Sequence, residues 1–117
     1  MKKLLIITIL GLFFSLTNSN AAVYKGQKIY IKKCRVCHSS GFDLASLKKK
    51  KEWDELMKRK GKPLSDIHLK SKNIKNDKDG KKIKKYFKSK KYFKKSRHLK
   101  DFLYEYAKDS GNVPACN

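Results

Sequence analysis

The stretch Cys34-Arg35-Val36-Cys37-His38 reads C-R-V-C-H, and this one run decides how the rest of the chain is understood. C-x-x-C-H is the attachment pattern of a c-type haem. Two thiols three residues apart on one helical turn reach the two vinyl groups along one porphyrin edge and bond there as thioethers. The next residue then lies under the iron, where a neutral imidazole nitrogen is a good axial ligand. Cys34 and Cys37 are therefore expected to carry one covalent haem c, with His38 as the proximal iron ligand. A bare C-x-x-C would leave a redox dithiol or half a zinc site open; the adjacent His favours haem.

On the N-terminal side, Lys2 and Lys3 precede an apolar run from Leu4 to Leu16, followed by small or polar residues from Thr17 to Asn20. Ser19 and Ala21 match an A-x-A-like cleavage site, so residues 1–21 read as a cleaved secretory signal peptide. The apolar run falls short of the roughly 20 residues that span a bilayer, which disfavours an uncleaved anchor. Residues 22–117 remain as one small domain. Such a chain buries a modest core, and a covalently held apolar macrocycle would enlarge it.

Lysine dominates the composition: 31 Lys+Arg against 10 Asp+Glu give +21, of which Lys2 and Lys3 would leave with the leader. Only Arg35, Arg59 and Arg97 are Arg. Nucleic-acid readers usually exploit Arg forks, and an exported protein rarely meets nucleic acid, so no nucleic-acid partner is expected. Two explanations of the lysine stand side by side. One is the composition bias of an AT-rich genome, with Ile and Asn also abundant. The other is steering toward acidic redox proteins or an anionic membrane surface. In either case association with acidic surfaces should be fast and steeply salt-dependent.

Apolar spacing is helical throughout, without strand alternation. Val23, Gly26 and Tyr30 form one stripe, predicting a helix over 23–33 that runs directly into Cys34. Gly26 costs roughly 1 kcal/mol inside a helix, which points to close packing against another backbone. Ser39 to Asp43 read as a loop. Ser46 is expected to cap a helix carrying Leu47, Trp53, Leu56 and Met57, stopped by Gly61 and Pro63. Ser65 and Asp66 then open a shorter helix bearing Leu64, Ile67 and His68. Residues 71–82 are nearly all polar and read as a mobile loop. Helical patterning resumes at Ile83, Tyr86 and Phe87. Leu99, Phe102, Leu103 and Tyr106 mark a final helix, with Ser96 as its expected cap and Gly111 as its stop.

With Gly26, Tyr30, Cys34, Cys37 and His38 in the arrangement G-x-x-x-Y-x-x-x-C-x-x-C-H, and an aromatic last helix, the chain resembles the small monohaem class I cytochromes c of bacteria. The resemblance implies an all-α domain whose N- and C-terminal helices cross and pack around the covalent haem. It also implies export to the periplasm, where haem is attached, and an electron port at the haem edge near Cys37. Residues 45–95 fall outside the family pattern.

That family usually supplies a Met as sixth ligand shortly before the last helix, and no Met follows Met57 here. Three residues compete. His68 belongs to the apolar i, i+3, i+4 stripe of Leu64 and Ile67, where a bare imidazole needs a partner, and is placed first. Met57 is second: its order with Trp53, Gly61, Leu64 and Ser65 resembles bacterial cytochrome c subunits in which such a Met binds iron, while its ordinary role is core packing. His98 is third; its neighbours Arg97 and Lys100 predict an exposed position. Bis-His ligation favours a low potential, His/Met raises it, and an open position would admit NO, CO or O2. Cys116 is the odd thiol, read as a covered residue of an extended tail.

Together these features describe a monomeric periplasmic carrier of single electrons between larger partners, with no catalytic acid/base pair or nucleophile. Two other classes share the motif: a haem gas binder lacking a sixth protein ligand, and a thiol-disulfide oxidoreductase using Cys34 and Cys37 as a dithiol.

Overall fold

Three helices begin by the same chemistry, a short polar side chain accepting a hydrogen bond from an otherwise orphaned backbone N–H. Ser40 accepts from the Asp43 amide, Asp77 from Gly80, and Ser89 from Tyr92. The computed structural model describes residues 18–113, and every regular element among them is helical. The signal-peptide run Leu4–Leu16 and Cys116 lie outside the described residues.

Helix α1 spans Asn18–Ile29 and continues as one wider π-helical segment, Tyr30–Cys34. Helix α2 is the short Gly41–Ala45, α3 is Lys50–Lys70, α4 is Lys78–Lys88 and α5 is Lys90–Glu105. No helix among the described residues is long and apolar enough to cross a membrane.

Gly26 explains the contact between the first and last helices. A Cβ there would overlap the carbonyl oxygen of His98 and approach Phe102 Cβ to 2.6 Å. Only a residue without a side chain lets α1 lie this close to α5. The stripe on α5 is the other half of the interface and the centre of the core: Leu99, Phe102 and Leu103 are buried, with Tyr106 half-buried beside them. Tyr30 lies tilted against Phe102 with ring centroids 5.6 Å apart, while its hydroxyl donates to the Ser39 carbonyl at 2.5 Å and lies 3.2 Å from that of Ser40. The chain beyond His38 is thereby tied back onto the first helical segment.

Helix α3 is broken where Gly61 and Pro63 suggest, but the device is a left-handed turn. Arg59, Lys60 and Gly61 have φ of 50°, 56° and 78°. A left-handed residue other than glycine costs roughly 1–2 kcal/mol, so tertiary contacts must hold the turn. The buried Tyr92 hydroxyl does so, donating to the Gly61 carbonyl at 2.7 Å. Pro63 then sits in the first turn of the second half, where its missing N–H costs nothing.

Several boundaries differ from expectation. Ser46 ends α2 instead of capping the next helix, and Leu47 is 70% exposed and outside the core. Gly41 opens α2, where a Cβ would meet the Phe102 ring at 2.6 Å. The loop expected over 71–82 covers 71–77, because Asp77 caps α4 and Gly80 packs closely on the Lys75 carbonyl. Ser96 is buried inside α5, its hydroxyl donating to the Phe93 carbonyl at 3.0 Å; the cap is Ser89. The helix ends at Glu105, before Gly111.

Candidate functional site

The C-x-x-C-H run forms one helical turn. The amides of Cys37 and His38 both donate to the Cys34 carbonyl, at 3.1 and 2.9 Å. Just before it, the Arg35 amide reaches back five residues to the Tyr30 carbonyl at 3.0 Å, closing the π-helical segment. Such local widening is frequent at functional sites because it re-aims the side chains that follow. Cys34, Cys37 and His38 thereby face a common cleft of about 720 Å³. This lies within the 300–1,000 Å³ typical of cofactor sites.

Every layer of the fold contributes to the cleft wall. Leu44 comes from α2, Trp53 and Leu56 from the first half of α3, and Leu64 from the second half. Ile83 and Phe87 come from α4, and Leu99 and Leu103 from α5. Trp53 is fixed by its indole N–H, which donates to the Ala45 carbonyl at 2.8 Å. The wall is therefore mainly hydrocarbon, with its polar groups concentrated at the motif, at His68 and along the 71–79 segment.

His68 enters this cleft opposite His38. Their ring centroids are 6.0 Å apart with the planes at 77°. The His68 ring stacks on Phe87 at 4.0 Å and 18°. Its Nδ1 lies 2.8 Å from the Leu64 carbonyl. A carbonyl can only accept, so Nδ1 carries the proton, and the lone pair of the neutral ring resides on Nε2. A metal-ligating His commonly has this arrangement, with one nitrogen bound to the backbone and the other free.

Met57 and His98 are not brought to this cleft. Met57 is buried and lines a separate cleft formed with α5. His98 is not exposed as its basic neighbours suggest: it lies on α5 at the crossing with α1, where its Nδ1 is buried without a hydrogen-bond partner among the described residues.

Among the described residues, no three His, Cys, Asp or Glu side chains converge as a metal-binding cluster. Two imidazoles facing each other across apolar walls, with two thiols at one side, suit a metal that arrives with its own equatorial ligands. The donor set fits a haem: His38 and His68 would offer nitrogens to its iron, and Cys34 and Cys37 would anchor its edge.

The Cys34 thiol is pushed up to about 12 by burial, with neighbouring Cys37 adding to the rise. A nucleophilic thiol needs the opposite shift. His68 is held below its ordinary 6.5, first by burial and to a smaller degree by His38, against the opposing pull of the Leu64 carbonyl. A depressed value means the folded state resists protonation. The stability that depends on neutral His68 is complete above pH 6.5 and is lost as the pH falls through the folded value.

Phe87 and Ile74 line the cleft although sequence patterning did not assign them to it; Phe87 is marked in the sequence only as part of a helical pattern with Ile83 and Tyr86. No protein-family model, curated protein or solved structure matches this chain.

Proposed function

We propose that this chain is a small monohaem cytochrome c, exported to the periplasm, that carries single electrons between larger redox proteins. In this reading Cys34 and Cys37 hold the haem as thioethers, and His38 and His68 are its axial ligands. Haem c supplies reversible one-electron transfer between ferrous and ferric iron. The chain's own residues do the rest. The walls from Leu44 to Leu103 exclude water, Leu64 and Phe87 fix the orientation of His68, and Tyr30 ties down the segment that follows His38.

The observation that carries the reading is the facing pair, His38 and His68 at 6.0 Å across the apolar cleft, with the His68 lone pair left on Nε2. It favours a carrier with both axial positions filled by protein over a gas binder with one open. The raised Cys34 thiol counts against a dithiol oxidoreductase. Lysines and aspartates share the rim of the cleft, among them Lys33, Lys48, Lys75, Asp77 and Asp79, where acidic redox partners would be steered.

Absorption spectra of the exported protein, oxidised and reduced, test the proposal together with haem staining of a denaturing gel. The expected result is covalent pigment with a low-spin spectrum and no methionine–iron charge-transfer band. A colourless, stain-negative protein would overturn it.

A further inference from the structure

The second cleft, of about 600 Å³, has a composition that the cofactor reading does not use. Lys60, Lys90, Lys94, Arg97 and Lys100 surround it, and among the described residues no carboxylate lines it. Lys100 pairs with Asp54 at 2.6 Å; the other four basic side chains form no ion pair among the described residues. Lys60 is carried there by the left-handed turn of α3 that Tyr92 holds. Met57 and the half-buried Phe93 add apolar surface. No residue lines both clefts.

Like charges gathered around one concavity repel, and that repulsion is relieved by an anion. The kind of anion follows from the hydrogen-bonding groups. Lysine and arginine side chains donate and cannot accept. Among the described residues, the only other polar side chain in the lining is Ser96, whose hydroxyl is buried and donates to the Phe93 carbonyl, keeping acceptor lone pairs of its own. A bound peptide brings a row of backbone N–H groups that need acceptors, and this lining offers them only one buried hydroxyl. A phosphate diester is acceptor-only, and the hydrocarbon attached to it needs no partner at all. Clusters of four to eight basic residues are the usual signature of attraction to anionic lipid.

We propose that the second cleft binds the phosphate headgroup of an anionic phospholipid, docking the protein on a membrane surface. Docking there leaves the first cleft and its rim open. The inference is independent of the cofactor reading, because none of its residues touches that cleft.

Co-sedimentation of the purified protein with phosphatidylglycerol vesicles tests it, against phosphatidylcholine vesicles. Binding to the anionic vesicles alone is expected. Lys94→Glu/Arg97→Glu should weaken it by about thirty-fold or more. Lys25→Glu/Lys81→Glu makes the same change in net charge at exposed positions outside both clefts, and should weaken it by about threefold or less. The milder Lys94→Gln/Arg97→Gln pair, expected to lose about tenfold, answers the question if the reversed pair fails to fold. Equal losses in the two reversed pairs would overturn the proposal in favour of diffuse charge, as would equal binding to both kinds of vesicle. Tighter binding of inorganic tripolyphosphate or poly-glutamate than of vesicles, with the same dependence on Lys94 and Arg97, would reassign the cleft to a soluble phosphate or an acidic protein. Pigment measured in the same samples reports separately on the cofactor.

Discussion

Alanine at both Cys34 and Cys37 is expected to yield a chain without covalent pigment and largely unfolded at ambient temperature. The buried core is small, and Leu44, Leu56, Leu64 and Ile83 are only half-buried because they face the cleft. Filling the cleft with an apolar macrocycle completes their burial, worth about 1.5–3 kcal/mol for each side chain that goes from exposed to fully buried. Losing even part of this across four side chains removes several kcal/mol. A domain of this size has only about 5–15 kcal/mol of total stability. Haem staining, far-ultraviolet circular dichroism and a thermal melt read the result. A double-alanine protein that accumulates, stays helical and melts like the parent would show that the haem is not part of the core.

His68→Ala is expected to open the iron to CO and convert the spectrum from low to high spin, whereas Met57→Leu should leave it unchanged. The contrast follows from where the two side chains lie. His68 faces His38 at 6.0 Å, while Met57 lines the other cleft beside Lys60 and Phe93. Loss of the stack on Phe87 adds about 0.5–1.5 kcal/mol of destabilisation beyond lost area, small beside the spectral change. Met57→Leu is nearly volume-conserving and should cost under about 1.5 kcal/mol. The opposite pattern, a disturbed spectrum in Met57→Leu and a silent His68→Ala, would give the ligand to Met57 and a higher-potential carrier. Two silent variants would transfer the question to His98 or an open position.

Some of this was legible without coordinates because the signal is local. Helical periodicity depends on a residue's own segment, so the all-helical character and the buried stripe of Leu99, Phe102 and Leu103 follow from spacing alone. Gly26 marks a close approach because nothing else justifies a glycine in mid-helix, and the α1–α5 contact occurs at that residue. Caps were less legible, because Ser40, Ser46, Ser89 and Ser96 are chemically alike. Which serine caps depends on the backbone around it, and Ser96 is instead buried within α5.

The relation between Met57 and His68 needed the tertiary structure. Each sits on an apolar helical stripe, and a stripe defines a face of its own helix, not the neighbour that face meets. Between them the chain turns left-handed at Arg59, Lys60 and Gly61, a conformation that two of those residues disfavour locally. The hydroxyl of Tyr92, 31 residues beyond Gly61, holds that turn. The turn re-aims the second half of α3, so that His68 joins Trp53 and Leu56 of the first half in the cleft with His38, while Met57, from that same first half, lines the other cleft. Contacts between residues far apart in sequence leave no periodic trace in either segment, which is why the motif was readable in the chain and the residue opposite it was decided by the fold.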